Sequence, residues 1–161
     1  MKLSALYQIS LDCQSVTTDS RNCPDGSLFI ALKGESFNGN AFAKLALDSG
    51  CAFAIIDEIQ YAVEGDQRYI LVDDCLQTMQ QLANYHRRQL GTRVIGITGT
   101  NGKTTTKELI SSVLCQAHNV LYTLGNLNNH IGVPLTLLAM TRDVEFGIVE
   151  MGASACGEIA L

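Results

Sequence analysis

Several features that would identify whole classes of protein are missing from this sequence of 161 residues. The six cysteines lie far apart and include no C-x-x-C pair, which argues against a zinc site built from closely spaced ligands. Asp and Glu outnumber Lys and Arg by 16 to 11, so we expect no nucleic-acid partner. The longest apolar runs, such as residues 51–56, are too short to cross a bilayer, so we expect no membrane insertion.

The amino terminus also lacks the uninterrupted apolar stretch of a secretory signal. We therefore expect a cytoplasmic protein whose cysteines are reduced thiols. Apolar residues make up 47% of the chain, which is enough for a packed core and argues against disorder.

Short apolar runs alternate with helical patterns in the first half of the chain. Strands are predicted at residues 27–32, 51–57 and 68–74. A helix is predicted over 41–50, with an apolar stripe that ends at the terminating Gly50 and consists of Phe42, Leu45 and Ala46. A longer helix is predicted from about Leu76 to Leu90, with one side formed by Leu76, Met79, Leu82, Ala83 and His86.

The second half repeats this alternation. Strands are predicted at residues 93–98, 119–123 and 144–152. The first helix is predicted to bury the stripe Leu109, Ile110, Val113, Leu114 and Ala117, and the second covers 131–140 with Pro134 in its first turn. Such alternation predicts an α/β fold with a largely parallel sheet in this half. The glycine-containing break at 90–93 suggests two domains, 1–90 and 91–161.

The segment GITGTNGKTTT, residues 96–106, joins a predicted strand to a predicted helix. The widespread P-loop has a glycine five residues before the glycine of its Gly-Lys pair, and this position is Ile97 here. The residues that bind anions are nevertheless present. Gly99 and Gly102 let backbone amides approach a phosphate, Lys103 supplies an ammonium group, and Thr104 can ligate magnesium. The plainer alternative is a turn whose helix is capped by Thr105 and Glu108.

Two further polar features follow the loop. Glu150 closes the last predicted strand, at the edge where α/β sheets place ligands, and is the expected second ligand of magnesium. Alternatively, it is an exposed acid at a strand end. The stretch LGNLNNHIGVPL, residues 124–135, concentrates asparagines before a helix, where they either recognise a polar substrate or cap the helix.

Four motifs of this chain resemble those of one family. They are VTTDSR with the following GSLFIALKGESFNGNAF, GTNGKTTT, GNLNNHIGVP and EMGASxxGEI, and they resemble the Mur ligases, the ATP-dependent amide-forming enzymes of peptidoglycan synthesis. The resemblance covers essentially the whole chain, and the family uses the shorter G-x-x-G-K-T loop. Within the family, the asparagine stretch and EMGAS are most similar to the members that add D-alanyl-D-alanine.

The resemblance implies a small α/β substrate domain followed by an incomplete P-loop domain with a parallel sheet. It implies that ATP phosphorylates the terminal carboxylate of UDP-N-acetylmuramoyl-tripeptide, and that the amine of D-alanyl-D-alanine attacks the acyl phosphate to form an amide. ATP and Mg²⁺ are therefore the expected cofactors. Most of the D-alanyl-D-alanine site is expected to lie outside this chain.

The resemblance assigns roles to the residues of this chain that occupy matching positions in the family's motifs. The resemblance assigns ATP binding to Gly99, Thr100, Asn101, Gly102, Lys103, Thr104 and Thr105, with Lys103 as the catalytic residue. It assigns magnesium to Thr104 and Glu150. It assigns the uridine diphosphate end to Ser20, Arg21, Glu35, Ser36 and Phe37, and the route of the muramyl peptide to Asn126, Asn128 and Asn129. The residues NGN at 38–40 and SAC at 154–156 depart from the family pattern.

Other functions are compatible with parts of this pattern. The chain could be a different Mur ligase or a P-loop kinase or GTPase, although it contains no N-K-x-D run of the kind that GTPases use to read the base. TDSR, residues 18–21, could be no more than a polar turn. A third possibility is a non-catalytic module that binds a UDP-sugar.

We predict that this chain alone has no ligase turnover. The family's carbamylated lysine, which helps to hold a second magnesium ion, and its C-terminal domain have no counterpart in this sequence. A phosphate-release assay with ATP, UDP-N-acetylmuramoyl-tripeptide and D-alanyl-D-alanine measures this. Robust phosphate release would contradict the prediction and show that those parts are dispensable.

Overall fold

The computed structural model describes residues 2–152. The chain forms two compact units, one that ends at Leu82 and one that begins at Ala83, and each is described by itself. Both units are α/β, as the sequence predicts, and the parallel sheet predicted for the second half is confirmed. The sheet of the first unit is parallel as well. The division of function at residues 90 and 91 stays a prediction. The SAC residues at 154–156 lie outside the described residues.

The first unit carries a four-stranded parallel sheet in the order β1-β2-β3-β4. Its strands are β1 Val16–Thr17, β2 Leu28–Ile30, β3 Phe53–Ile56 and β4 Tyr69–Leu71. Its helices are α1 Leu3–Asp12, α2 Ala43–Asp48 and the beginning of α3 Cys75–Leu90, with 3-10 turns at Gly39–Phe42 and Ile59–Tyr61. The sequence patterns predicted all of these strands except the two-residue β1, and they did not predict α1.

The two central strands form the core of this unit. Leu28, Phe29 and Ile30 of β2 are buried on both faces of the sheet, as are Ile55 and Ile56 of β3. Central strands of a parallel sheet read as continuous apolar runs because helices cover both faces. Burying each of these side chains stabilises the fold by about 1.5–3 kcal/mol.

The predicted apolar stripe of α2 is wrong at two of its three positions. Phe42 and Leu45 are exposed, whereas the buried residues are Ala43, Ala46 and Leu47. The reason is that Phe42 belongs to a 3-10 turn and the α-helix begins one residue later. The buried positions are therefore shifted by one residue along the sequence. The terminating glycine is confirmed, because Gly50 adopts a left-handed φ of 120°. In α3, the predicted face is confirmed at Met79, Leu82, Ala83 and His86, which are all buried.

The second unit carries a three-stranded parallel sheet in the order β5-β7-β6. Its strands are β5 Arg93–Ile97, β6 Val120–Tyr122 and β7 Phe146–Glu150, and its helices are α4 Lys103–Leu114 and α5 Gly132–Leu138. Pro134 lies in the first turn of α5, as predicted. The strand β7 pairs on both sides, with Ile97 opposite Glu150 and Tyr122 opposite Ile148. The carboxyl ends of all three strands therefore meet at one edge.

The predicted buried stripe of α4 is wrong at Leu109, Val113 and Ala117, which are exposed, whereas Ile110 and Leu114 are half-buried. Leu109 and Val113 are 63% and 69% exposed, and the residues buried on this helix are Lys107 and Ser111. The helix is oriented by polar contacts: the Lys107 ammonium donates to the carbonyl of Thr123 at 2.7 Å. Hydrophobic periodicity could not reveal this orientation, because it assigns lysine to solvent. Within residues 2–152, every helix is too short or too polar to cross a membrane.

We predict that Gly39→Ala destabilises the first unit by about 2 kcal/mol, as overpacking of a core typically does. A Cβ at Gly39 would collide with the backbone of Leu32, including its nitrogen at 2.8 Å, and the backbone cannot move aside. Urea denaturation followed by far-UV circular dichroism measures the change.

The matched control is Gly34→Ala in the same loop. A Cβ there would meet the ring of Phe37, which is exposed and can rotate away, so that only a small change is expected. Equal destabilisation by the two substitutions would contradict the argument from backbone collision.

Candidate functional site

The carboxylate of Glu150 is the centre of the candidate site. Glu150 ends β7 and is only 1% exposed. Its Oε1 atom accepts hydrogen bonds from the Thr104 hydroxyl at 3.1 Å and from the Asn128 side-chain amide at 2.8 Å. Three residues that were predicted separately, as metal ligands and as a substrate contact, therefore lie together. The alternative of an exposed strand-end acid is wrong.

The other carboxylate oxygen of Glu150 has no hydrogen-bond partner within residues 2–152, although it is buried. A buried acceptor without a partner is unfavourable by about 1–3 kcal/mol and is rare in native proteins. Carboxylate and hydroxyl oxygens are the ligands that Mg²⁺ prefers. The residues present therefore fit a magnesium ion bound between the Glu150 carboxylate and the Thr104 hydroxyl.

Hydrogen bonds donated by two backbone amides hold the end of β7 against both neighbouring strands. The Glu150 amide donates to the Thr123 hydroxyl at 3.0 Å, just after β6. The Met151 amide donates to the carbonyl of Ile97 at 2.8 Å, at the end of β5. Ligands of α/β proteins bind at this carboxyl edge, and the edge here is closed by specific polar contacts.

The loop between β5 and α4 is exposed and ends directly on the helix. Gly99 and Gly102 have φ values of 139° and 77°, which a residue with a side chain adopts only with strain. The helix α4 begins at Lys103, and no side chain caps its first amides. The capping box of Thr105 and Glu108 is therefore wrong. Uncapped amides at a helix start attract anions.

Lys103 folds back over this loop. Its ammonium donates to the carbonyl of Gly99 at 2.6 Å. Lys103 is half-buried, but this hydrogen bond is exposed to solvent, so the ammonium can exchange the carbonyl for a phosphate oxygen without a large desolvation penalty. Thr100, Asn101 and Thr105 are exposed in the loop and in the first turn of α4.

The asparagines of the stretch 124–135 were predicted either to recognise a polar substrate or to cap a helix, and they differ in their contacts. Asn129 accepts backbone hydrogen bonds from Ile131 at 3.1 Å and Gly132 at 2.8 Å and so fixes the start of α5. Asn128 instead donates to Glu150, and its carbonyl accepts from the Gly152 amide at 2.6 Å. Asn126 is exposed. Their place on the route of a peptide substrate stays a prediction.

In the first unit, the TDSR turn holds Arg21 in a defined orientation. The guanidinium donates twice to the carboxylate of Asp19, with both distances 2.9 Å, while the side chain remains 87% exposed. These hydrogen bonds from Arg21 lower the pKa of Asp19 to about 2. The Ser20 carbonyl accepts from the Cys23 thiol at 3.4 Å. Asp19 was missed in the sequence, although an acid two residues before an arginine is a recognisable signal.

The residues Glu35, Ser36 and Phe37 form the exposed tip of a tight turn, closed by the Gly34 amide on the Phe37 carbonyl at 3.0 Å. The turn is anchored through Asn40, which exchanges hydrogen bonds with Asp57 at 2.8 and 3.0 Å. The NGN residues, which depart from the family pattern, thus supply the anchor of this turn. The sequence alone did not suggest this role. Among residues 2–152, no hydrogen bond or ion pair joins this tip to the TDSR turn.

Models of one protein family match both halves of this chain. The family model described as "Mur ligase family, catalytic domain" matches residues 12–87. The model described as "Mur ligase middle domain" matches residues 97–161. Most of the chain is therefore covered by two models of the same family, in the order in which the two units occur.

Individual relatives agree with this assignment. The UDP-N-acetylmuramoyl-tripeptide–D-alanyl-D-alanine ligase of Bacillus subtilis is 49% identical over 91% of this chain, which covers 32% of that protein. The crystal structure of MurF from Acinetobacter baumannii superposes with a TM-score of 0.84 at 34% identity, covering 98% of this chain and 37% of that one. MurF ligase from Thermotoga maritima, solved in complex with ADP, gives a TM-score of 0.81 at 33% identity over 93% of this chain and 34% of its own.

The chain spans about a third of the length of the curated relatives that it matches. Its two units occur in the order of the two matched models, and Thr104 and Glu150 both lie within the residues that the middle-domain model matches. This chain belongs to the Mur ligase family.

Proposed function

We propose that this chain is the part of an ATP-dependent ligase that binds ATP and the UDP-linked substrate. The complete reaction would join D-alanyl-D-alanine to UDP-N-acetylmuramoyl-tripeptide through an acyl phosphate. The names of the relatives support this reaction, since the ligase of Bacillus subtilis carries both substrates in its name. The contact of Thr104 with the buried Glu150 is the structural observation that carries the proposal.

The nucleotide phosphates would bind at the start of α4. The uncapped amides after Gly102 and the ammonium of Lys103, whose hydrogen bond to the loop is exposed to solvent, would provide the attraction. Thr104 and Glu150 would hold the magnesium ion, which would neutralise phosphate charge when bound. The Thermotoga maritima relative was solved in complex with ADP, which supports nucleotide binding by the complete protein.

The chemistry requires two negatively charged groups to approach each other, because a substrate carboxylate attacks the γ-phosphate. Positioned positive charge and backbone amides lower this barrier most when they are already oriented before the reaction. Lys103 would move its ammonium from the Gly99 carbonyl to the terminal phosphates. Asn128 would keep the Glu150 carboxylate oriented, since it donates to the same oxygen as Thr104.

The UDP end of the substrate would bind in the first unit, residues 1–90 in the proposed division. Arg21 is suited to a diphosphate because its guanidinium is exposed and already oriented by Asp19. Ser20 beside it, and the exposed tip Glu35, Ser36 and Phe37, would supply the remaining contacts. Asn126 and Asn129 would border the path of the peptide in the second unit.

We expect Glu150→Gln to abolish the Mg²⁺-dependent part of ADP affinity. The amide preserves the shape of the side chain but removes the charge that binds the cation. Isothermal titration calorimetry with and without MgCl₂ should show a loss of more than about tenfold in the enhancement by Mg²⁺, since even outer-shell changes reach that size.

Glu145→Gln is the matched control, because Glu145 precedes the same strand at its opposite end and contacts His118 at 2.8 Å instead. Its Mg²⁺ enhancement should equal that of the unchanged chain.

Lys103→Ala should weaken ADP binding about tenfold even without Mg²⁺, as expected for the loss of one charge-assisted hydrogen bond. Unchanged ADP binding in Lys103→Ala would contradict the assignment of the loop.

We expect Arg21→Ala to weaken binding of UDP-N-acetylmuramoyl-tripeptide by about tenfold, the usual size for one hydrogen bond to a charged group. Calorimetry with this compound measures the effect. Arg68→Ala is the matched control. Arg68 pairs with Asp66 two residues before it in the same way, at 3.0 and 2.6 Å, so that it repeats the local geometry elsewhere in the unit.

Which of the two compounds binds, ADP or UDP-N-acetylmuramoyl-tripeptide, distinguishes the possible functions. Binding of both compounds, each lost in its own variant, supports the ligase. Binding of the UDP compound without ADP would favour a non-catalytic UDP-sugar-binding module. Equal losses in Arg21→Ala and Arg68→Ala would mean that Arg21 has no specific role.

A further inference from the structure

Lys107 is an unusual residue for the buried face of a helix. Its side chain is 1% exposed, and its ammonium donates to the Thr123 carbonyl at 2.7 Å. The same group lies 3.0 Å from the Glu108 carboxylate and 5.8 Å from the centre of the Tyr122 ring. Burying a charged group is strongly unfavourable unless it is paired, so an apolar residue would be the simpler choice for stability alone.

The residue that Lys107 contacts is joined directly to the end of β7. The amide of Thr123 donates to the carbonyl of Ile148 at 2.9 Å, which continues the pairing of β6 with β7. Its hydroxyl, which is fully buried, accepts from the Glu150 amide at 3.0 Å. Thr123 thus uses its carbonyl toward α4 and its amide and hydroxyl toward β7.

These contacts form a continuous chain of hydrogen bonds from α4 through Thr123 to the backbone of Glu150. Lys107 lies one helical turn after Lys103, yet its ammonium contacts the strand end and not the loop carbonyl that Lys103 contacts. Lys103 is half-buried and makes a solvent-exposed hydrogen bond to the loop, whereas Lys107 is buried and donates to Thr123 at the end of β6. The two lysines therefore have different tasks.

We propose that Lys107 is a positioning residue for the metal-binding carboxylate. It fixes Thr123, and the Thr123 hydroxyl fixes the backbone of Glu150 so that the carboxylate faces Thr104. This inference rests on the proposed function, in which Glu150 holds Mg²⁺. Lys107 contacts neither the nucleotide nor the metal, and it acts through the strand end alone.

The test is the dependence of ADP affinity on Mg²⁺ in Lys107→Met, measured by calorimetry. Methionine fills a similar volume without the ammonium. Without Mg²⁺, ADP affinity should be unchanged, because Lys103 and the loop amides remain. The enhancement by Mg²⁺ should fall about tenfold or more, which is the range for residues that orient a metal ligand.

Ser111→Ala is the matched control. Ser111 is buried on the same face of α4, and its hydroxyl donates only to the carbonyl of Lys107 at 2.7 Å, within the helix. Its removal perturbs the interior of the helix without touching Thr123, so the Mg²⁺ enhancement should be retained. An equal loss in Ser111→Ala would overturn the inference, because general loosening of the helix would then explain both effects.

Thr123 provides a second test that does not depend on the folding of Lys107→Met. Thr123→Val removes the hydroxyl and should lose the Mg²⁺ enhancement, whereas Thr123→Ser keeps the hydroxyl and should retain it. In the Thr123→Val background, Lys107→Met should cause no further loss, since both substitutions interrupt one path.

The outcomes distinguish this inference from the proposed function. If Mg²⁺ fails to enhance ADP binding in the unchanged chain, the proposed metal site is wrong and the inference falls with it. If the unchanged chain shows the enhancement, and Lys107→Met or Thr123→Val retains it in full, the metal site stands and the positioning role of Lys107 is wrong.

Discussion

The buried carboxylate of Glu150 is the constraint on which the second unit depends. A charged group that is almost fully removed from water must be surrounded by donors, and each donor here comes from a different segment. The Thr104 hydroxyl comes from the first turn of α4, the Asn128 amide from the loop before α5, and the Thr123 hydroxyl holds the Glu150 backbone from the end of β6. One acid is thus hydrogen-bonded to three separate segments of the unit, and its remaining oxygen has no hydrogen-bond partner among the described residues.

Under the proposed function, both units would bind anionic ligands through a few oriented polar groups, and neither would need a generally basic surface. The chain as a whole carries a net charge of −5, so attraction of phosphate must be local. In the second unit this attraction would come from the uncapped helix amides and Lys103. In the first unit it would come from Arg21, whose orientation is held by Asp19. Exposed groups on a rigid scaffold are the usual basis of binding loops.

The parts of the fold that the sequence patterns predicted are those in which apolar contacts dominate. The strands β2 and β3 and the buried face of α3 follow directly from their apolar residues. The patterns were misleading where the orientation of an element depends on something else. In α2 a 3-10 turn shifts the start of the helix, and in α4 a buried lysine directs the helix onto the sheet while Leu109 and Val113 remain exposed. Apolar periodicity cannot detect either effect.

By itself, the sequence determined the local chemistry of the site. Glycines with left-handed backbone, a lysine and threonine at a helix start, and an acid at a strand end are all local features. The tertiary structure alone decided which of these groups meet: Thr104 contacts an acid 46 residues away, Asn128 turns toward that acid, and Asn129 caps its own helix instead. The physical reason is that hydrogen bonds between distant segments depend on strand order and register, which residue types do not encode one position at a time.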